Sequence, residues 1–164
     1  MIIAESLDPA LRSRLVDNLY IEAMVMADEA RSYFDGPGME DREVLEILSR
    51  LSFACESLKV TTRLMHIIAW LLAQKAWRRG EISDAVLESA QCRLGAAAPS
   101  DEQAIATLPP RAQDLVTGSQ ALYERVWRLQ EGMRKTIAPQ APATPETPSP
   151  GPARELLDRL RRSL

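Results

Sequence analysis

Across residues 44–76, apolar or small side chains recur at Val44, Leu48, Leu51, Cys55, Leu58, Thr62, Met65, Ala69, Leu72 and Ala76, in alternating steps of four and three. That rhythm matches the 3.6-residue turn of an α-helix and no other regular structure. Kept up for this long, it demands a single rod on the order of 55 Å at 1.5 Å per residue. A rod of that length must lie against others of similar length, so the rest of the chain is read for partners.

Two partners are legible. Asp8 followed by Pro9 reads as an N-cap and first-turn proline, after which Val16, Tyr20, Ala23, Ala27, Ala30 and Phe34 repeat until the turn "DGPG". Pro110, in "LPPR", opens another run through Leu115, Ser119, Leu122, Val126, Leu129 and Met133. Ser83 can cap a short helix that stops near Gly95. No stretch alternates with the period of two that a strand needs. The reading is all-α: an antiparallel bundle of three long helices with one short connecting helix, helices falling at about 9–34, 41–79, 84–94 and 110–136 within a domain of residues 1–137.

Beyond the bundle, six prolines fall in "PQAPATPETPSPGP", residues 139–152, a composition with nothing to bury and a preference for extended polyproline II. Residues 138–153 therefore read as a flexible linker. The last segment, 154–164, puts Leu156, Leu157, Leu160 and Leu164 on one side with Arg161 among the remainder, a short amphipathic tail helix.

Composition narrows the function. With 20 basic and 23 acidic residues, the chain lacks the cationic excess that displaces counterions from nucleic acid. Cys55 and Cys92 have no CxxC spacing and no histidine cluster around them, which points to idle thiols rather than a disulfide framework or zinc. The longest near-apolar run, residues 64–73, is far short of a bilayer span, and the start lacks the basic flank and apolar core of a signal peptide, so a cytoplasmic protein is expected. No phosphate-binding, nucleophile-elbow or zinc-hydrolase motif occurs, and the lone His66 has no company for metal ligation or acid–base work. Asp28 and Glu29 point about 100° apart on their helix and make a poor acid/base pair. The expectation is no enzyme and no cofactor.

What remains is surface. The long helix carries a second apolar ladder, Val60, Leu64, Ile67 and Leu71, about 160° from the first at 100° per residue. Either the helix runs through the middle of the bundle, sandwiched by its neighbours, or one ladder meets another protein, because an uncovered apolar face invites association. Between the ladders runs a line of Lys59, Arg63, His66, Trp70 and Trp77, residue types that dominate protein–protein hot spots and that also snorkel along bundle edges. The candidate interaction residues are therefore Lys59, Val60, Arg63, Leu64, His66, Ile67, Trp70, Leu71 and Trp77, with Leu156, Leu157, Leu160, Arg161 and Leu164 as a tethered adhesive tail.

Three blocks, "LYIEAMVMADEARSYFD", "FACESLKVTTRLMHIIAWLLAQKAWRRGEIS" and "LPPRAQDLVTGSQALYERVWRLQ", resemble the signature blocks of the RcdA-like family, regulators of CtrA degradation in alphaproteobacteria. The middle block is the most specific. The resemblance implies a non-catalytic helical-bundle adaptor that delivers client proteins such as the cell-cycle regulator CtrA to the protease ClpXP. It further implies a place in an adaptor hierarchy begun by a response-regulator-like primer of the protease, and self-association into dimers. A cytosolic ligand sensor built around His66, Trp70 and Met65, or a general interaction scaffold, is the alternative. A terminal helix lying on an anionic membrane is a third reading, though about three turns of apolar face are too little for firm anchoring.

Overall fold

The computed structural model describes residues 8–137 of the chain. Within them lie six α-helices and one 3-10 turn, and no strand: α1 (Pro9–Phe34), α2 (Pro37–Glu43), α3 (Ile47–Arg78), α4 (Asp84–Glu88), the 3-10 turn Ala90–Cys92, α5 (Glu102–Ala106) and α6 (Pro110–Ile137). The linker and tail read at 138–164, with Leu156, Leu157, Leu160, Arg161 and Leu164, lie outside the described residues.

Helix α1 starts where Asp8 Oδ1 accepts the Ala10 amide, with Pro9 in the first turn. The helix expected from residue 41 instead begins at Pro37 and is interrupted. Val44 caps the short α2, and Arg50 makes the break: its guanidinium donates to the Glu43 and Leu45 carbonyls at 2.6 and 2.9 Å, supplying partners for acceptors at the end of α2. Arg79 and Gly80 close α3, with Gly80 at φ +74° and its amide on Trp77 O. The short helix expected over 84–94 ends at Glu88, and the 3-10 turn follows.

The core is a single apolar cluster. Val16, Leu19, Ala23 and Ala30 of α1 meet Phe53, Val60, Leu64, Ile67 and Leu71 of α3, and Ala112, Val116, Leu122 and Val126 of α6 complete it. Burying each of the larger side chains contributes about 1.5–3 kcal/mol. At one end Tyr33, Phe34 and Phe53 form an aromatic group with ring centroids 5.2–6.4 Å apart, and Tyr33 Oη donates to Asp41 at 2.8 Å. Burial and the Asp41 carboxylate push the Tyr33 phenol well above its ordinary range. At the other end Lys75 and Arg78 of α3 both bond Asp17 of α1.

Those contacts set the directions. Helix α1 is antiparallel to α3, since Tyr33 meets Phe53 and Asp17 meets Lys75. It is antiparallel to α6 as well, since Arg111 stacks on the Tyr33 ring and Arg125 bonds Glu22. Helices α3 and α6 then run the same way: Arg63 bonds Ser119, and further along both helices Trp70 and Gln74 share a cavity with Gln130 and Met133. Parallel neighbours need a return path. Residues 79–109 provide it, travelling back along the furrow between α3 and α6.

Candidate protein-interaction surface

Val60, Leu64, Ile67 and Leu71, the ladder expected to meet a partner, are the inner ladder of α3 and are fully packed in the core. The first ladder is the outer one. Val44 is 86% exposed, Ile47 82%, Leu58 69% and Met65 66%, and Leu48, Leu51, Cys55, Thr62, Ala69 and Leu72 are exposed with them. From Leu48 to Leu72 this stripe is on the order of 36 Å long at 1.5 Å per residue.

Charge distribution makes the stripe unusual for a helix that faces solvent. Between Arg50 and Lys75 the only charged residues of α3 are Glu56, Lys59 and Arg63. All three lie on the flank toward α6, Glu56 and Arg63 being buried. The outer face has no charge across about six turns. Isolated exposed leucines are ordinary, but a continuous charge-free row of this length makes the stripe a candidate contact surface. Beside it, between α1 and α3, opens a groove of about 360 Å³ lined by Ala27, Phe34, Leu64, Met65 and Ile68, with Arg31 and Asp35 also on its wall.

The edge line is split among different roles. Lys59 Nζ bonds Glu56 at 2.8 Å, and Arg63 and Trp70 are buried. His66 is half-buried beneath Gly95, where an added Cβ would fall on its imidazole. Trp77 is exposed and its indole N–H donates to Asp84 at 2.6 Å. Neither Arg63 nor His66 offers a free hot-spot tip, because residues 94–100 of the chain itself lie across them, and Trp70 is buried in the core.

That overlying segment is held by four side chains, Gln130, Tyr123, Arg63 and Glu56. Gln130 Oε1 accepts the Leu94 amide at 2.7 Å, and Tyr123 Oη donates to Gly95 O at 2.7 Å. Arg63 donates to Ala98 O at 2.8 Å and to Ser100 Oγ at 2.6 Å, and reaches Ser119 Oγ at 3.3 Å. Ser100 in turn donates to Glu56. Burial pulls the Arg63 guanidinium below its ordinary value, with Glu56 opposing that shift. Sequence reasoning picked out Arg63 but missed Glu56, Ser100, Tyr123 and Gln130; the presence of a carboxylate one turn before Lys59, on the flank opposite any solvent-facing row, was the available signal.

No group of three or more His, Cys, Asp or Glu side chains among the described residues is placed to hold a metal ion, and no helix among them is long and apolar enough to cross a membrane.

Comparison with known proteins places the chain. Residues 7–164 match the family described as "Protein of unknown function (DUF1465)". Among solved structures, RcdA from Caulobacter crescentus CB15 is similar at 32% identity and a TM-score of 0.59, over 80% of this chain and 97% of that one. No curated protein matches the chain.

Proposed function

The chain belongs to the DUF1465 family and is a relative of RcdA, and from that premise we infer that it is a non-enzymatic adaptor that binds client proteins and delivers them to a protease of the ClpXP type. The observation that carries this reading is the charge-free outer stripe of α3, from Leu48 to Leu72, with the Met65 groove beside it. A bundle of this size has already filled its core with the inner ladder, so the outer one serves contact with another molecule.

In this reading the stripe takes over the role first expected of Val60, Leu64, Ile67 and Leu71. It engages either a second copy of the chain or a client, so that self-association and cargo binding compete for one face. Clients are cell-cycle regulators of the CtrA kind, the protease is first primed by a response-regulator-like adaptor, and residues 138–164 tether the bundle to the primed protease. Tethering raises local concentration to the millimolar range when the linker spans the gap, so two weak contacts suffice.

The test is reconstituted degradation of a CtrA-like client by ClpXP and its primer, with this chain or its Leu58→Glu/Met65→Glu variant added. The parent accelerates client loss and the variant does not, at equal far-UV circular dichroism. Equal acceleration by both would remove the stripe from the mechanism, and no acceleration by either would remove the delivery role.

A further inference from the structure

The furrow between α3 and α6 is already a peptide-binding site in the literal sense: it holds residues 94–100, which form no helix, turn or bend, through groups that read backbone. Gln130 takes an amide N–H, Tyr123 and Arg63 each give a proton to a carbonyl oxygen, and none of these three contacts depends on the side chain bound. Sequence enters at three places, the first being Leu94, which packs half-buried against the core. Gly95 must lack a Cβ to lie on His66, and Ser100 must offer a hydroxyl between Arg63 and Glu56.

Two features are wasteful if this segment is only a connector. First, the seat buries a guanidinium and a carboxylate, each 2% exposed, where an apolar pair would cover the furrow at no loss of stability. Here the buried pair is directed at the segment, at Ala98 O and the Ser100 hydroxyl. Second, the segment is thinly anchored: between Lys75 and Thr107 no residue is fully buried, and of residues 94–100 the core takes the half-buried Leu94 alone. A stretch with so little buried apolar surface belongs to the least stable part of a fold and opens without unfolding the rest. At the Leu94 end the furrow continues into a cavity of about 290 Å³ beneath Trp70, Leu87 and Met133, where the buried Gln74 Oε1 has no donor. A longer guest has room there.

We propose that the furrow between α3 and α6 is a peptide-binding groove for an extended, small-residue segment of a partner protein, occupied by the chain's own residues 94–100 until that partner displaces them. The guest has the chemistry of the occupant "LGAAAPS": one apolar side chain, then a glycine where the chain crosses His66, small side chains, and a hydroxyl five residues after the glycine. This depends on the adaptor reading only in that the guest is a protein segment, and its test needs neither protease nor client, so the two can fail separately.

The experiment titrates the full chain into a fluorescently labelled, end-blocked peptide of residues 93–101 and follows anisotropy. In the parent the internal copy competes at millimolar effective concentration and binding is weak. Gly95→Ala in the chain drives its own strand off His66, and the glycine-bearing peptide then binds at least about tenfold more tightly. A peptide with alanine at the glycine position does not bind, and adding Tyr123→Phe to the Gly95→Ala chain abolishes the gain. If Gly95→Ala does not fold, Ser100→Ala replaces it, loosening the latch without adding bulk, with the same expected gain. The proposal is overturned if the opened chain binds the peptide no better than the parent, or if the alanine peptide binds equally well.

Discussion

Leu71 and Leu72 are adjacent in sequence and opposite in surroundings: the first is enclosed between the three long helices, the second stands on the outer stripe. Truncating each to alanine separates the two ladders by energy. Leu71→Ala costs about 2–5 kcal/mol, the transfer loss plus a cavity, whereas Leu72→Ala stays within about 0.5 kcal/mol, both read from urea midpoints. A second residue-scale expectation concerns Asp17. Arg78 and then Lys75, by hydrogen bonds that outweigh desolvation, hold its carboxyl below the ordinary value of 3.8. A depressed folded pKa means the pair's stabilisation is complete above that ordinary value and is lost as pH falls through the lower folded one. Asp17 remains 42% exposed, so screening limits the effect to less than about 1 kcal/mol. Asp17→Asn should therefore melt slightly below the parent at pH 7 and together with it at pH 2.

At the scale of elements, two glycines should respond with opposite signs. Gly80 terminates α3 at φ +74° with open space around it, so Gly80→Ala meets no clash and loses about 1 kcal/mol through backbone conformation alone. Gly132 lies inside α6 with equally open space, and Gly132→Ala gains about 0.5–1 kcal/mol from helix propensity. Differential scanning calorimetry of the two variants checks the pair. The helices themselves were readable from period, caps and prolines. The break at residues 44–46 was not, because the four–three rhythm runs straight through it; only the Arg50 side chain, folded back onto the Glu43 and Leu45 carbonyls, ends one helix before the next begins. Nor was the direction of α6. A connector of some thirty residues is equally compatible with a short hop and with a full return, and what decides it is polar capture of that connector by Gln130, Tyr123 and Arg63.

For the whole molecule, the lesson of α3 is that period reports an apolar face without reporting which molecule covers it. Val60 and Leu58 are both apolar, two residues apart, and only packing against Leu19, Val116 and their neighbours assigns one inward. The candidate site was therefore legible as a helix with too much apolar surface, and its correct side was not. The same excess predicts how the protein associates. Its net charge of -3 is too small to drive or block assembly, so the outer stripe dominates. Association through that face should be unchanged by sodium chloride, which screens charges, and strengthened by sulfate, which favours apolar burial. Sedimentation velocity over a concentration series should show a parent that self-associates and a Leu58→Glu/Met65→Glu variant that stays monomeric, with thermal midpoints alike because both side chains are about two-thirds exposed. Self-association that weakens steadily with sodium chloride and survives the double substitution would place the contact on a charged surface instead, and would leave the stripe without a partner.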